Sequence, residues 1–191
     1  MDNPSANLPR ASTWWRERAA TFTFVGKVVG LVCVYYVLIG FPLADRILES
    51  ILAWNAQASG WLLHLLNQST FTSGTQIHDG HFAVNVRRGC DAIEPAWLFS
   101  AGILAFPASL RQKLLGIAAG VCIILSVNIV RIASLFLIGE YTPQWFEAAH
   151  LQVWPLALIF TAILLWFCWL KSLPVSTASL LANRSAPHTL P

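Results

Sequence analysis

Cys90 is the residue of this sequence whose surroundings best suit a nucleophile. It follows two arginines, the second of which is Arg88, and it precedes a predicted helix. Asp91 predicts the N-cap of that helix, Glu94 completes a capping-box pattern, and Pro95 fits only in the first turn. A helix N-terminus and neighbouring arginines both favour a thiolate over a thiol. The pattern therefore indicates covalent catalysis by a cysteine.

Arg131 and His150 are predicted to lie at the same membrane level as Cys90. Arg131 stands 17 residues after Leu114 in an apolar run, which is about 26 Å into a hydrocarbon core about 30 Å thick. Asn128, one turn deeper, shares its helix face. His150 begins the next apolar run. A cysteine, a histidine and an arginine at one level suit acyl transfer.

Each of these residues also has an ordinary structural explanation. A cysteine beside a helix end is often inert, an arginine near the end of a span can reach lipid headgroups, and a histidine can lie among interfacial tryptophans. An arginine inside an apolar run is costly, which favours a joint functional role. The residues alone leave both interpretations open.

The other three cysteines lie in apolar runs, where a free cysteine behaves as a small hydrophobic residue. We therefore expect no disulfide framework, and no spacing of cysteine and histidine indicates a zinc site. His78, Asp79 and His81 bracket a predicted turn, and turn residues explain them better than metal ligands do. The three cysteines are Cys33, Cys122 and Cys168.

Composition indicates that lipid is the solvent of this chain. Of its 191 residues 56% are hydrophobic and only 11% are charged, with a mean hydropathy of +0.60. About a quarter of the residues of a soluble domain are charged. The net charge of +3 is too small to indicate a nucleic-acid partner. We predict an all-α integral membrane protein with about four transmembrane helices.

The apolar runs predict the spans, and the basic residues orient them. Arginine and lysine cluster before the first run, between the second and third, and after the fourth. The positive-inside rule places these segments in the cytoplasm. We predict one transmembrane catalytic domain at 22–170, an N-terminal cytoplasmic segment at 1–21 and a disordered cytoplasmic tail at 171–191. The predicted spans are 22–42, 92–108, 114–138 and 151–170, with the first retained as a signal anchor.

The predicted outer segment, 43–91, contains two small elements. Residues 47–66 have helical periodicity but carry several polar residues, so we expect an interfacial or re-entrant helix there. Residues 72–87 predict a small extracytoplasmic β-hairpin with a two-residue turn at Asp79–Gly80. Phe82, Val84 and Val86 alternate with Ala83, Asn85 and Arg87 in that hairpin. The loop 139–150 is the second outer connection.

At these residues the sequence resembles the exosortase/archaeosortase family. The matching pieces are Arg88–Glu94, Asn128–Arg131 and His150 with the leucine after it, over about residues 71–170. Members of that family carry a cysteine before one membrane helix, an Asn-x-x-Arg in the next and a histidine at the start of a later one. This chain is shorter than the larger exosortases. It also has Cys-Asp-Ala where many relatives have Cys-Ser-Gly, which indicates a compact subclass similar to exosortase H.

The resemblance implies a cysteine transpeptidase or peptidase of the cytoplasmic membrane, with its active site on the extracytoplasmic face. Its partners would be exported proteins with a C-terminal sorting signal, made of a motif, a transmembrane helix and a basic tail. Cys90 would form a thioester, His150 would transfer the proton and Arg131 would stabilise the oxyanion. Arg88 and Asn128 are secondary candidates for contact with substrate or for positioning. No step requires a metal or an organic cofactor, and a lipid or glycan could accept the acyl group.

Three alternatives stay open on sequence alone. A non-enzymatic membrane scaffold could bind a partner through the same outer polar residues. A transporter subunit could bind an anion at Arg131, although the chain lacks the internal repeat common in transporters. A protease could hydrolyse the thioester with water. Glu94 is expected to cap its helix, with a lesser chance of orienting His150.

Overall fold

The long apolar runs form helices. The prolines of these helices lie in the first turn, where proline is tolerated. The computed structural model describes the backbone of residues 10–173 and the side chains of residues 18–173. The elements are α1 (Arg10–Ile39), α2 (Pro42–Leu65), β1 (Phe71–Ser73), β2 (Gln76–His78), β3 (Ala83–Asn85), α3 (Ile93–Ala105), α4 (Leu110–Tyr141), a 3₁₀ turn (Pro143–Trp145), α5 (Phe146–Ala148), a π-helical turn (Ala149–Val153) and α6 (Trp154–Ser172).

Within residues 10–173, three stretches are long and apolar enough to cross a membrane. They are Arg18–Ile39 of α1, the whole of α4, and the continuous helical run Pro143–Ser172. The predicted span 92–108 is shorter than expected, because α3 has 13 residues and rises only about 20 Å. It ends at Ala105 since Pro107 excludes helical geometry from the residue before it, and Phe106 has a ψ of 142°.

The predicted ends of the chain differ from the structure in part. The N-terminal segment 1–21 is helical from Arg10, so α1 begins well before the expected span. At the other end α6 continues to Ser172. Residues 1–9 and 174–191, which include most of the predicted tail, lie outside the described residues. The cytoplasmic location of both ends stays a prediction.

Helices α3 and α6 run antiparallel to α4. Lys113 near the start of α4 donates to the Leu104 carbonyl at the end of α3. The Trp169 indole near the end of α6 donates to the Gln112 carbonyl. Higher up, the ring of Phe99 lies where a Cβ on Gly120 would stand. Glycine therefore lets α3 approach α4 closely.

Helix α2 packs along the half of α4 that ends at Tyr141, and its position relative to the membrane interface stays a prediction. Asn55 meets Asn128, and the Ser59 hydroxyl donates to the Ile129 carbonyl. The helix has 24 residues without a break, so it is not a re-entrant segment that turns back. The apolar residues that suggested an interfacial face, such as Trp61 at 71% exposure, point away from the bundle.

The outer segment forms a three-stranded antiparallel sheet in the order β1–β2–β3, where a two-stranded hairpin was predicted. The extra strand arises from a tight turn at Gly74 and Thr75, with Gly74 at a φ of +57°. The second turn is centred one residue later than predicted, because Asp79 and Phe82 face each other across it. The Asp79 carboxylate accepts from the N–H groups of His81 and Phe82.

The predicted alternation along β3 is confirmed. Val86 is buried and Val84 is half-buried, whereas Ala83 and Asn85 are exposed. The buried face joins an apolar cluster with residues of α2 and α4. That cluster contains Leu52, Ala56, Leu63, Ile77, Val86, Ile132, Ala133 and Phe136.

The expected outer loop 139–150 is almost entirely helical. Helix α4 continues to Tyr141, and the chain turns at Thr142 into the 3₁₀ turn and α5. The π-helical turn that follows, Ala149–Val153, precedes Pro155. Proline lacks the N–H for a regular helical bond, so a wider turn at this place has a local cause.

Candidate active site

Cys90 lies in a tight turn directly before α3. Its N–H donates to the Arg87 carbonyl at 2.9 Å, and Gly89 has a φ of +87°, which a residue with a side chain rarely adopts. The side chain of Cys90 is half-buried and packs against the apolar cluster. The turn therefore presents the thiol at the edge of the core.

The start of α3 differs from the predicted capping box. Ala92, with a φ of +57°, precedes the first helical residue. The Asp91 carboxylate accepts from the N–H of Ile93 at 3.1 Å, so it still satisfies one free donor of the helix. Glu94 does not reach back to complete the box. Its carboxylate accepts from the Tyr36 hydroxyl on α1 at 2.9 Å.

Arg131 on α4 points inward to Cys90. Its guanidinium Nη2 lies 3.8 Å from the Cys90 Sγ, and Nη1 lies 3.5 Å from the Gly89 carbonyl oxygen. The residue is only 4% exposed, so it does not reach out to lipid headgroups. The Nε of this guanidinium is buried without a hydrogen-bond partner among the described residues. A donor is thus available beside the thiol.

Asn128 holds the backbone of the cysteine. Its amide nitrogen donates to the Cys90 carbonyl at 2.9 Å and to the Asn55 side-chain oxygen at 3.1 Å. Both asparagines are fully buried. The Asn55 amide in turn donates to the Ile51 carbonyl of its own helix. Three elements, α2, α4 and the turn before α3, are joined at this point.

His150 lies in the π-helical turn. Its ring stacks on Phe146, with centroids 5.8 Å apart and planes at 14°. Its Nδ1 is buried and has no hydrogen-bond partner within the described part of the chain. The stacking fixes the ring plane, and the free nitrogen can exchange a proton.

A cavity of about 640 Å³ connects the thiol and the imidazole. That volume is within the usual range of ligand pockets. No hydrogen bond between Cys90 and His150 is present in the described residues, and such bonds are often long in a site without substrate. The cavity is lined by Phe82, Ala83, Val84, Asn85, Val86, Arg87, Arg88, Cys90, Ile132, Leu135, Gly139, Pro143, Phe146 and His150.

Arg88 is directed elsewhere than to the thiol. It forms an exposed ion pair with Asp45 of α2, so it ties the turn before α3 to that helix. Arg88 still lines the cavity. The structure thus brings Cys90, Arg131, His150 and Asn128 around one region, whereas Glu94 lies against Tyr36.

Sequence reasoning missed Asn55 and the wall formed by β3. Asn55 was read only as a polar interruption of a weak span. A signal was present nearby, since Ala56 and Gly60 have the small-xxx-small spacing of closely packed membrane helices. That pattern predicts a buried helix face, and Asn55 lies on it. The wall needed the strand order, which one sequence does not supply.

Comparison with known proteins finds one family. The model of the transmembrane exosortases matches residues 11–169 of the 191. No curated protein and no solved structure matches the chain.

Proposed function

This chain belongs to the transmembrane exosortase family, and from that premise we propose that it is a membrane-embedded cysteine transpeptidase. It cleaves the C-terminal sorting signals of exported proteins on the outer face of the cytoplasmic membrane. The acyl part passes through a thioester on Cys90 to an acceptor. Cys90, Arg131 and His150 are its catalytic residues.

One observation carries this proposal. Residues from three separate elements converge: the Cys90 Sγ lies 3.8 Å from the Arg131 guanidinium, and His150 lines the same cavity. A buried arginine in a membrane protein is costly and marks a functional site by default. A membrane anchor or a scaffold would not need it beside a thiol.

The first half of the reaction forms the thioester. The Cys90 sulfur attacks the scissile carbonyl carbon, and its proton passes to His150. The guanidinium of Arg131 stabilises the negative charge on the carbonyl oxygen, an effect that is stronger away from bulk water. The C–N bond then breaks, and the imidazolium gives its proton to the leaving amine.

The second half releases the acyl group. An acceptor amine or hydroxyl attacks the thioester carbonyl, His150 takes the acceptor proton, and the Cys90 thiol is regenerated. Water in place of the acceptor would give hydrolysis with the same residues. Asn128 positions the cysteine by holding its carbonyl oxygen.

The orientation rests on charge. The basic residues Arg111, Lys113 and Lys171 lie toward the end of the helices opposite to the cavity, as the contacts of Lys113 with α3 and of Trp169 with α4 require. Lys27 of α1 lies near Lys113. The positive-inside rule then places the cavity outside. A membrane-impermeant maleimide should label Cys90 in intact cells. If the reagent fails to label Cys90 in wild type but labels Arg111→Cys in a Cys90→Ala background, the orientation is reversed.

A processing assay tests the function. A reporter ending in a candidate sorting signal from the same genome is co-expressed with wild type, Cys90→Ala, Arg131→Ala or His150→Ala. We expect wild type to shorten the reporter and the three variants to leave it intact. Cys122→Ala, which removes an exposed cysteine of α4, is the matched control and should process normally. Processing by Cys90→Ala would overturn the thiol mechanism and favour a scaffold. Mass analysis of the new C-terminus identifies the acceptor or shows hydrolysis.

A further inference from the structure

We infer that the free edge of β3 binds the sorting motif of the substrate as an added β-strand, which delivers the scissile bond to Cys90. This inference rests on the proposed function, since it names how that substrate is held. The occupant is an extended peptide segment of an exported protein. Main-chain hydrogen bonds would supply its affinity, and alternate side chains its specificity.

The hydrogen-bond register leaves backbone groups of β3 open. Val86 donates to the Thr75 carbonyl and Asp79 to that of Phe82. Because paired residues alternate along an antiparallel ladder, Val84 also faces β2. The N–H and C=O groups of Ala83 and Asn85 therefore point away from the sheet, on the side where no other strand of the described residues lies beside β3.

The open edge lines the candidate active site. Every residue from Phe82 to Arg88 borders the 640 Å³ cavity, on both faces of the strand. A pocket above one face would touch alternate residues only, so the cavity follows the edge of β3. From Ala83 to Arg87 that edge is about 13 Å long, and Cys90 follows three residues later.

The edge has few of the devices that usually block strand addition. Proteins protect exposed edges with short strands, charged residues, proline, bulges or a covering element. Strand β3 is short and Arg87 follows it, but the strand itself contains no proline and no charged residue. On the far side the cavity is bounded by apolar groups, including Ile132, Leu135 and Phe146. Ala83 and Asn85 are exposed, so a substrate strand would replace water on their backbone groups with main-chain hydrogen bonds.

The geometry also predicts the pattern of the motif. Side chains of an added strand alternate between two faces. One set would lie over the face of Val84 and Val86 and meet the apolar wall. The other set would share the face of Asn85 and Arg87, which is exposed. We therefore expect apolar or small residues at every second position of the paired segment.

Substitution of the edge tests the inference without touching the catalytic residues. Ala83→Pro removes an outward N–H and leaves the ladder to β2 intact. We expect Ala83→Pro to process the reporter about 3- to 10-fold more slowly than Ala83→Ser, which keeps the N–H, as for the loss of one hydrogen bond. Asn85→Pro against Asn85→Ala gives a second matched pair. Equal rates for proline and control variants would overturn the inference.

Cross-linking provides a readout that does not depend on turnover. In a chain whose four native cysteines are alanine, Asn85→Cys is oxidised with reporters carrying single cysteines along the motif. An added strand predicts disulfides at alternate positions only, and none with Ser73→Cys on β1. Uniform cross-linking, or none, contradicts strand addition. If wild type processes the reporter but this cross-linking pattern is missing, the proposed function stands and strand addition fails. If the pattern is present but the reporter is not processed, the edge binds the motif and the proposed enzymatic function fails.

Discussion

The two halves of the helical bundle are held together by different forces, although α4 runs through both. In the half that contains Arg111 and Lys113, glycines of α4 receive aromatic rings from neighbouring helices: Gly116 faces Trp169 and Gly120 faces Phe99. In the other half, polar side chains connect α2, α4 and the turn at Cys90. In the first half the side-chain hydrogen bonds between helices end on backbone carbonyls, whereas in the second half fully buried polar side chains also bond to each other.

This difference agrees with the proposed position of the active site. Close packing of small residues against rings is the usual way to associate helices in lipid. It leaves the outward faces free for lipid, and residues such as Leu115 and Phe167 are indeed exposed there. Fully buried polar groups have a desolvation cost that packing does not require. Their presence around Cys90 agrees with the proposed catalytic role of that region.

The largest effect should come from replacing Arg131, whereas replacing Arg111, the other arginine of α4, serves as the control. Arg131→Gln removes the guanidinium beside the Cys90 Sγ, and we expect reporter processing to fall about 10²- to 10³-fold, as when an oxyanion donor is lost. Arg111→Gln, at the exposed start of the same helix, should stay within about twofold of wild type. The measurement is the initial rate of processing per folded enzyme.

Arg131→Lys sharpens this test. It keeps the positive charge but loses the planar fork that meets both the thiol and the Gly89 carbonyl. We expect a rate between those of wild type and Arg131→Gln. If Arg131→Gln processes the reporter normally, the half of the bundle around Cys90 has no special role in chemistry. The two halves then differ only in packing.

Packing in the other half is tested by Gly120→Leu. The new side chain would overlap the ring of Phe99, and overpacking of this kind costs about 1–3 kcal/mol. We expect a lower melting temperature in detergent, by about 2–12 °C for a chain of this size. The rate per folded molecule should be unchanged, since the site lies higher in the bundle.

Gly26→Leu is the control for that substitution. Nothing lies within 4 Å of a Cβ on Gly26 of α1, so the melting temperature should remain the same or rise. A loss of activity per folded molecule in Gly120→Leu, with normal stability, would show that the two halves are coupled and that the division is too sharp.

The fold was predictable where one strong pattern decided it. Hydropathy and charge were enough for the helices α1, α4 and α6, and the alternation of Phe82, Val84 and Val86 identified β3. The rest depended on tertiary partners. The length of α3 reflects Pro107 and the αL conformation of Ala92, and the packing of α2 depends on the facing surface of α4.

The site shows the same limit. Helix rise alone placed Arg131, Cys90 and His150 at a common level, and the structure brings these residues to one region. Their exact partners did not follow from spacing. Arg88 and Glu94 looked close to the thiol in sequence, but Asp45 and Tyr36 on other helices hold their side chains. A sequence does not list such competitors.

Substitution of Asn55 or Asn128, the buried asparagine pair near Cys90, should have a smaller effect on processing than substitution of Arg131. Asn55→Ala leaves the Asn128 amide with one acceptor fewer, and loss of a buried hydrogen bond costs about 1–3 kcal/mol. We expect reduced stability in Asn55→Ala and in Asn128→Ala. The double variant should be less destabilised than their sum, by about 0.5–2 kcal/mol, because the two residues are in contact.

Processing rates separate the two asparagines. Only Asn128 touches the Cys90 carbonyl, so its loss should lower the rate per folded enzyme more than loss of Asn55. Asn55→Asp, which keeps an acceptor for the Asn128 amide, should recover part of the stability. Strict additivity of the two substitutions would mean that the polar contact between α2 and α4 is not a source of specific stability.

The smallest effect should come from substitution of Asp79, in the turn between β2 and β3. Hydrogen bonds from the Phe82 and His81 N–H groups hold the pKa of the Asp79 carboxyl below its ordinary value. A lowered pKa in the folded state adds stability above the unfolded pKa of about 4, and this is lost as the pH falls through the folded value. Asp79→Asn keeps an acceptor but does not titrate, so its melting temperature should change less than that of wild type between pH 6 and about pH 3. Asp79→Ala should lower the melting temperature by roughly 2 °C at pH 6. If the melting temperatures of wild type and Asp79→Asn fall equally between pH 6 and about pH 3, ionisation of Asp79 does not contribute to stability.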